Sequence, residues 1–186
     1  MDTVLTFLGG MALMAALVAL AQRFMGFQAQ KSLDYATQEP RFDLRQHLSG
    51  PLKCEGVIYG PMGRVNSRFT ADMEGHWDGN KGVLAEHFRY DSGTTQDREW
   101  RLTIGNDGRI RADADDLVGH GQGTAEGSAL QLRYTIRLPA SAGGHALDVT
   151  DWLYLVDDKT IVNRSQFRKF GIKVAELVAT MRKVDA

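Results

Sequence analysis

Two charged residues occupy positions that a β-strand pattern reserves for apolar side chains. In the stretch AEHFRYDSGTTQDREWRL, residues 85–102, Glu86 falls in the apolar row of the first strand and Arg98 in that of the second. Burying either charge alone is costly, and an opposite charge within reach offsets that cost. We therefore expect the two side chains to meet in the interior, either as a salt bridge that fixes strand register or as polar groups that contact a ligand.

The turn between these two strands decides how the charged residues pair. A two-residue loop at Ser92-Gly93 would set the apolar row of one strand against the polar row of the other. A three-residue loop at 92–94 lets both apolar rows face the same side, and it pairs Glu86 with Trp100. Glu86 and Arg98 then become diagonal neighbours, about 7–8 Å apart, a distance that an arginine side chain can span.

Three more side chains are predicted to share this interior. Asp151 continues the alternating row of Leu147 and Val149. Trp100 and Tyr134 belong to the apolar rows of their own strands. The predicted ligand-binding residues are therefore Glu86, Arg98, Trp100, Tyr134 and Asp151. The apolar side chains expected to line the same space are Phe69, Met73, Leu84, Phe88, Leu132 and Ile136.

Sequence motifs of the common catalytic sites are absent. The chain has no G-x-S-x-G, H-E-x-x-H or P-loop motif, and its five His residues have no zinc-site spacing. The stretch GHGQG at 119–123 lacks the strand–helix context of a phosphate-binding loop and fits a bent or bulged barrel strand. Asp113, Asp115 and Asp116 fit a solvated strand end better than a cation site. No catalytic residue, metal or cofactor is predicted.

Composition narrows the classes of partner. The 22 basic and 23 acidic side chains nearly cancel, so no strong positive field predicts nucleic-acid binding. Cys54 is the only cysteine, which excludes an intrachain disulfide and favours a small core residue over a reactive thiol. Twenty Gly against four Pro favour short strands joined by Gly-containing turns.

Alternation with a period of two dominates the chain from residue 52 to residue 167. The segments 65–77 and 130–138 are the clearest examples, and turn signals recur about every ten residues. This pattern predicts a mainly β fold over residues 46–186, an antiparallel β-barrel or half-barrel of calycin-like form. Residues 172–183 fit a helix or a strand, and their alternation favours a last strand.

An uncharged apolar run precedes the predicted barrel. Residues 3–22 reach the length of about 20 residues that a transmembrane helix needs, and a signal peptide cleaved after Ala21 is the alternative. Residues 23–45 would then form a juxtamembrane segment of a single-pass inner-membrane protein. The basic residues that follow the run favour the cytoplasmic side for the domain under the positive-inside rule.

The strand at residues 152–156, WLYLV, is apolar on both faces. A strand of this kind is covered on both sides, one of them being the barrel interior. The outer cover could be the amino-terminal segment, a partner chain or the membrane surface.

Four stretches span nearly the whole predicted domain in a specific order and spacing: DYATQEPRFDL at 34–44, the segment 69–100, LQLRYTIRLP at 130–139, and the segment 151–176. These stretches resemble a bacterial family known only as domain of unknown function family 3833. The resemblance implies no catalytic residue, because that family has no established activity. Relatives often resemble exported lipoproteins, which implies a slight preference for the periplasm, although no Cys ends the apolar run of this chain.

The function predicted from these features is a membrane-anchored barrel that binds a lipid-like or other hydrophobic small molecule. In that hypothesis Arg98 binds an anionic head group and Glu86 holds Arg98 in place. One alternative is a structural or accessory subunit of a membrane protein complex that uses strand 152–156 as its interface. The other is an acid–base enzyme acting on a lipid, with Glu86 as the proton carrier.

Overall fold

Ten consecutive antiparallel strands close into a barrel in this computed structural model, which describes residues 2–184 apart from the side chains at positions 2, 19, 22, 23 and 141. The strands are β1 (Gly50–Tyr59), β2 (Val65–Asp78), β3 (Lys81–Tyr90), β4 (Thr95–Ile104), β5 (Arg109–Asp113), β6 (Gly121–Glu126), β7 (Ala129–Arg137), β8 (Ala146–Asp157), β9 (Thr160–Lys169) and β10 (Ile172–Lys183). Each strand pairs with its neighbours in sequence, and β1 pairs with β10 to close the barrel. The predicted antiparallel β-barrel is confirmed in its closed form.

Strand alternation explains which side chains face the interior. On β2 the side chains of Phe69, Ala71 and Met73 are buried, while Thr70 between them is exposed. Residues Ile172–Lys183 form β10, so the prediction of a last strand at residues 172–183 is confirmed. Because neighbouring strands keep their inward rows in register, one continuous core forms inside the barrel.

The predicted register of the β3–β4 hairpin is wrong by two residues. Its three-residue loop is 91–93, flanked by a hydrogen bond of 2.9 Å from Tyr90 N to Thr94 O. A loop of this length ends on a residue in the left-handed conformation, and Gly93 takes that place with φ 84°. Glu86 therefore pairs directly with Arg98 instead of lying diagonal to it. The two apolar rows still face the same side, as expected, because a shift of two residues preserves the face.

The glycine-rich stretch at 119–123 leads into β6, which confirms its assignment to a barrel strand. Its pairing with β5 and β7 is regular and contains no bulge. Gly123 is needed for a different reason, since a Cβ atom there would lie 2.4 Å from Leu132 Cδ2. The glycine thus allows an inward side chain of β7 to pack directly against β6.

One end of the barrel is closed by the segment that enters β1. The short helix α2 (Leu44–His47), numbered after the amino-terminal helix α1 (Asp2–Phe24), places Leu44 inside this end, and Leu48 follows it. Trp77 Nε1 donates a hydrogen bond of 2.9 Å to Leu48 O, which fastens the plug to β2. Phe42 N donates to Gly127 O over 2.7 Å on the opposite side of the same end.

The outward face of β8 is covered by the chain's own segment at 27–35. Trp152 is 0% exposed and packs against Phe27 and Tyr35. The rings of Tyr35 and Trp152 lie 5.4 Å apart between centroids. Of the three covers considered for the apolar strand 152–156, the structure therefore shows the amino-terminal segment.

The apolar run at the amino terminus is helical, and its large apolar side chains from Val4 to Leu20 are 49–70% exposed. Within residues 2–184, no described helix combines the length and the mean hydropathy of a membrane span. The transmembrane helix predicted at 3–22 is therefore not supported, although its helical conformation is as expected.

Candidate functional site

The barrel encloses a cavity of about 710 Å³. This volume lies within the range of about 300–1,000 Å³ that is common for small-molecule sites. Leu44 and Leu48 line its plugged end, while at the other end its lining reaches the exposed residues Thr94, Gln96 and Pro139. A molecule would therefore enter at the end of the barrel that carries these exposed residues.

All five residues that the sequence predicts as ligand-binding line this cavity. They are Glu86 on β3, Arg98 and Trp100 on β4, Tyr134 on β7 and Asp151 on β8. The six predicted apolar lining residues also surround it, namely Phe69, Met73, Leu84, Phe88, Leu132 and Ile136. Their common location follows from the inward rows of adjacent strands, and their role in binding stays a prediction.

Arg98 is held between an acidic side chain and an aromatic ring. Its Nη2 donates a hydrogen bond of 3.2 Å to Asp116 Oδ1, and its Nε lies 2.9 Å from Asp116 Oδ2 as an ion-pair contact. The guanidinium carbon lies 4.1 Å from the centre of the Trp100 ring, a cation–π distance. Burial lowers the pKa of Arg98, but the charges of its neighbours, Tyr134 first among them, raise it above its usual value.

Glu86 has the least complete set of contacts among the cavity's carboxyl groups. The residue is 7% exposed, and its Oε2 atom is buried with no hydrogen-bond partner among the described residues. The nearest cationic atom, Arg98 Nη1, is 3.9 Å away, which is too far for a hydrogen bond. Burial raises the pKa of Glu86 to about 7, against the opposing charge of Arg98 and with additional effects of Asp151 and Asp116. This carboxyl group therefore exchanges its proton near neutral pH.

Asp151 has a fixed orientation, in contrast to Glu86. Its Oδ1 accepts a hydrogen bond of 2.6 Å from Ser165 Oγ and another from Asn163 Nδ2. The same Asn163 amide also donates to Trp152 O over 3.0 Å, so β9 ties the carboxylate to the backbone of β8. Burial raises the pKa of Asp151, and the bonds from Ser165 and Asn163 oppose that rise.

Aromatic rings form much of the remaining wall. The rings of Trp100 and Tyr134 meet edge to face at 5.1 Å, and Phe69 contacts Phe88 at 5.4 Å. Burial raises the pKa of the Cys54 thiol to about 12, so this residue is protonated at neutral pH. Cys54 belongs to the buried core, which confirms the small core residue expected from the sequence.

Sequence reasoning missed three polar members of this cluster. The sequence predicts a solvated strand end for Asp116, and the structure instead pairs it with Arg98. A signal was present, because Asp116 continues the pattern in which every second residue, Ala112 and Ala114, is buried. Asn163 and Ser165 likewise share the parity of the inward row of β9, where their small polar side chains gave no sign of a partner.

The chemistry of the site lies in its carboxyl groups, its guanidinium and its aromatic walls. Among the described residues, no group of three or more His, Cys, Asp or Glu side chains is arranged to hold a metal ion. The arrangement can bury an apolar molecule, accept hydrogen bonds from its polar end, and hold or release a proton at Glu86.

The chain belongs to the family described as protein of unknown function (DUF3833), whose family model matches residues 21–183. This match confirms the resemblance carried by the four sequence stretches. No curated protein matches the sequence.

Three solved structures share the barrel fold at low sequence identity. The S-type phycobiliprotein lyase CPES from Guillardia theta has a TM-score of 0.56 and 6% identity, over 74% of this chain and 89% of its own. A protein of unknown function from the DUF3598 family of Nostoc punctiforme has a TM-score of 0.56 and 13% identity, over 79% of this chain and 51% of its own. Rv2717c from M. tuberculosis has a TM-score of 0.55 and 14% identity, over 74% and 93%. These likenesses show the fold alone.

Proposed function

We propose that this protein binds one hydrophobic small molecule, lipid-like in its apolar body, inside the barrel. The observation that carries the proposal is the cavity of about 710 Å³, which is lined mainly by apolar and aromatic side chains. A barrel of about this size is either filled by its own side chains or holds one small ligand. Here the interior is not filled, since the cavity extends from the plug residues Leu44 and Leu48 past Glu86 and Arg98 to the rim at Pro139.

The apolar walls supply the free energy of binding. Each methylene group moved from water into such a cavity contributes about 0.8 kcal/mol. A dodecyl chain would therefore supply on the order of 9 kcal/mol before the losses on association are subtracted. Binding in the micromolar range or weaker is the expected result for a simple alkyl probe.

A neutral fluorescent probe tests this proposal. We expect N-phenyl-1-naphthylamine to saturate the full-length chain at one molecule per chain, in a buffer free of alkyl detergents that would compete for the cavity. Leu132→Trp adds a large side chain at a lining position and should weaken binding at least tenfold. The matched control is Arg133→Trp, at the next residue of β7 on the exposed face. Equal binding by both variants would contradict the proposal.

An acid–base enzyme acting on a lipid is the second candidate function. It is favoured by the place of Glu86, a cavity-lining carboxyl group whose Oε2 is unpaired and whose pKa burial raises to about 7, since catalytic acids and bases work best when their pKa lies near the working pH. Glu86→Gln separates the two functions, because it would abolish turnover of a lipid substrate while leaving the binding of a neutral apolar probe intact.

The third function considered from the sequence, a subunit of a membrane complex, stays a prediction, and only part of strand 152–156 is open to a partner, since Val156 is 59% exposed. The outward side chain of Trp152 is 0% exposed because segment 27–35 covers it. Location at the inner membrane, with a slight preference for the periplasmic side, stays a prediction.

A further inference from the structure

The interior of the cavity carries more acidic than basic groups. Its carboxyl groups belong to Glu86, Asp116 and Asp151, and its only deep guanidinium among the described lining residues is that of Arg98. The remaining cationic lining residue, Arg137, is exposed at the rim. A ligand's polar end therefore enters an environment whose fixed charges are unfavourable to an anion.

Arg98 is already engaged within the protein. Asp116 contacts both Nη2 and Nε of the guanidinium, at 3.2 and 2.9 Å, and the Trp100 ring covers its face at 4.1 Å. At Nη1 a ligand carboxylate or phosphate would lie beside the Glu86 carboxyl group, whose Oε2 is 3.9 Å away, and at the Nε–Nη2 edge it could bind only by displacing Asp116. That exchange would leave a carboxylate without its cation, so it gains little.

Glu86 offers the opposite situation. Its Oε2 is buried and has no hydrogen-bond donor within the described part of the chain, and the Glu86 residue lines the cavity. An acceptor left without a donor in the interior destabilises the folded protein, and a ligand that donates a hydrogen bond there would remove that penalty. Asp151 does not compete for this role, since Ser165 and Asn163 already donate to it.

We infer that the bound molecule's polar end is a hydrogen-bond donor, an amine or a hydroxyl group, seated against Glu86, and that an anionic head group is disfavoured. This inference rests on the proposed binding function and adds the chemical class of the ligand. It replaces the expectation that Arg98 receives an anion.

The charge state of Glu86 distinguishes the two kinds of donor, an ammonium group and a hydroxyl group. Burial raises the pKa of Glu86 to about 7, so the carboxylate form increases from about 10% at pH 6 to about 90% at pH 8. An ammonium group is attracted to the ionised form, and its affinity should therefore fall about tenfold from pH 8 to pH 6. A hydroxyl group can donate to either form and should change little. The titratable or charged groups that face Glu86 are Cys54, Tyr90, Arg98, Asp116, Tyr134 and Asp151.

Three probes with the same alkyl chain test the inference on the full-length protein. Dodecylamine, 1-dodecanol and dodecanoate, each below its micellar concentration, would be used to displace N-phenyl-1-naphthylamine at pH 8. We expect the amine and the alcohol to bind at least tenfold more tightly than dodecanoate. Dodecanoate binding as tightly as the others, or more tightly, would overturn the inference while leaving the binding function in place. Displacement by none of the three would count against the binding function itself.

Glu86→Gln adds a test of the residue. We expect it to weaken dodecylamine about tenfold or more and to remove the pH dependence of its binding. The control is Glu99→Gln, the same substitution on the exposed face of β4, which should change neither. An unchanged dodecylamine affinity in a folded Glu86→Gln protein would overturn the assignment, and the order of the three probes on the unmodified protein stands as a test that needs no variant.

Discussion

Glu86 and Glu176 are two buried carboxyl groups, 7% and 8% exposed, on opposite faces of the barrel wall. Glu86 lines the cavity, where its Oε2 has no hydrogen-bond partner among the described residues. Glu176 lies on the outer face, where Arg164 and Lys173 each contact it at 2.6 Å. Burial raises the pKa of Glu86 to about 7. Burial also acts to raise the pKa of Glu176, but the hydrogen bonds from Lys173 and Arg164 outweigh it and lower that pKa below its usual value.

The surroundings of the two glutamates also differ, because packed side chains lie beside Glu176 and a cavity lies beside Glu86. Beside Glu176 lies an outer aromatic cluster that consists of Phe27, Tyr35, Trp152 and Tyr154. Arg164 connects the two, because its guanidinium also lies 5.0 Å from the centre of the Phe27 ring. The chain thus fills the space on the outer face with its own amino-terminal segment, although Trp152 Nε1 there is also buried without a hydrogen-bond partner among the described residues. On the inner face it leaves a cavity beside the unpaired Glu86 acceptor, and it is this open space that distinguishes the binding site from the structural cluster.

The largest effect is expected from Trp152→Ala in the outer aromatic cluster. The side chain is 0% exposed, so its removal should lower the free energy of unfolding by about 3–5 kcal/mol. Urea unfolding measures this change, with Val156→Ala as the control because Val156 is 59% exposed on the same strand. Probe binding by the folded fraction should be unchanged. A cost below about 1 kcal/mol would mean that the amino-terminal segment does not seal this face.

Glu86→Gln should increase stability at high pH, which is the reverse of the usual outcome for a buried charge. The folded-state pKa of Glu86, about 7, lies above its usual value of 4.5. The folded protein therefore binds this proton more tightly than the unfolded chain does, and the stabilisation present below pH 4.5 is lost as the pH rises to about 7. The difference between the two pKa values corresponds to roughly 3 kcal/mol.

The measurement is the free energy of unfolding of both proteins from pH 5 to pH 8. The variant should be nearly as stable as the unmodified protein at pH 5 and more stable at pH 8, by up to roughly 3 kcal/mol. If the free energies of unfolding of the two proteins change in parallel with pH, the folded state does not shift the pKa of Glu86. The contrast with Glu176 would then be wrong.

Glu176→Gln should have a smaller effect of the opposite sign, because it should lower the free energy of unfolding at neutral pH. The substitution removes the charge that binds Arg164 and Lys173, and both of these side chains are partly exposed. We expect the free energy of unfolding at pH 7 to fall by about 1–2 kcal/mol. The lowered pKa of Glu176 places the loss of its stabilisation at acid pH, so the difference between variant and unmodified protein should shrink as the pH falls through that value. A stabilising effect at pH 7 would contradict this account.

The smallest effect is expected at Ser165, inside the cavity. Ser165→Ala removes one of the two donors to Asp151 Oδ1 and should cost about 0.5–1.5 kcal/mol in unfolding free energy. The control is Ser67→Ala, which removes a hydrogen bond of 3.1 Å to the exposed Asp91 and should cost less. Equal costs would indicate that Asp151 is not fixed by Ser165.

Much of this fold could be predicted from period-two alternation. The inward rows that carry Phe69, Leu132 and Asp151 were visible in the sequence, because each apolar row continues over several residues. The hairpin register was not, since moving the loop by one residue keeps both rows on the same face. Only the need for Gly93 to adopt a positive φ at the third loop position decides between the two registers.

The missing parts of the site are those where alternation is interrupted or carries no chemical signal. Asp116 lies beyond the end of β5, where a loop interrupts the strand, so its place two residues after the buried Ala114 did not by itself predict a contact with Arg98. The packing of Phe27 on Trp152 joins residues 125 positions apart, and nothing near either residue specifies it.

The indole N–H signals of the three tryptophans test the central claim most directly. Trp100 lines the cavity, Trp152 lies in the outer aromatic cluster, and Trp77 donates to the plug at Leu48. In a proton–nitrogen correlation spectrum of the full-length protein, with the signals assigned through Trp→Phe variants, N-phenyl-1-naphthylamine should shift the Trp100 signal to saturation at one equivalent. The Trp152 signal should stay in place. A shift of Trp152 with no shift of Trp100 would contradict binding inside the barrel.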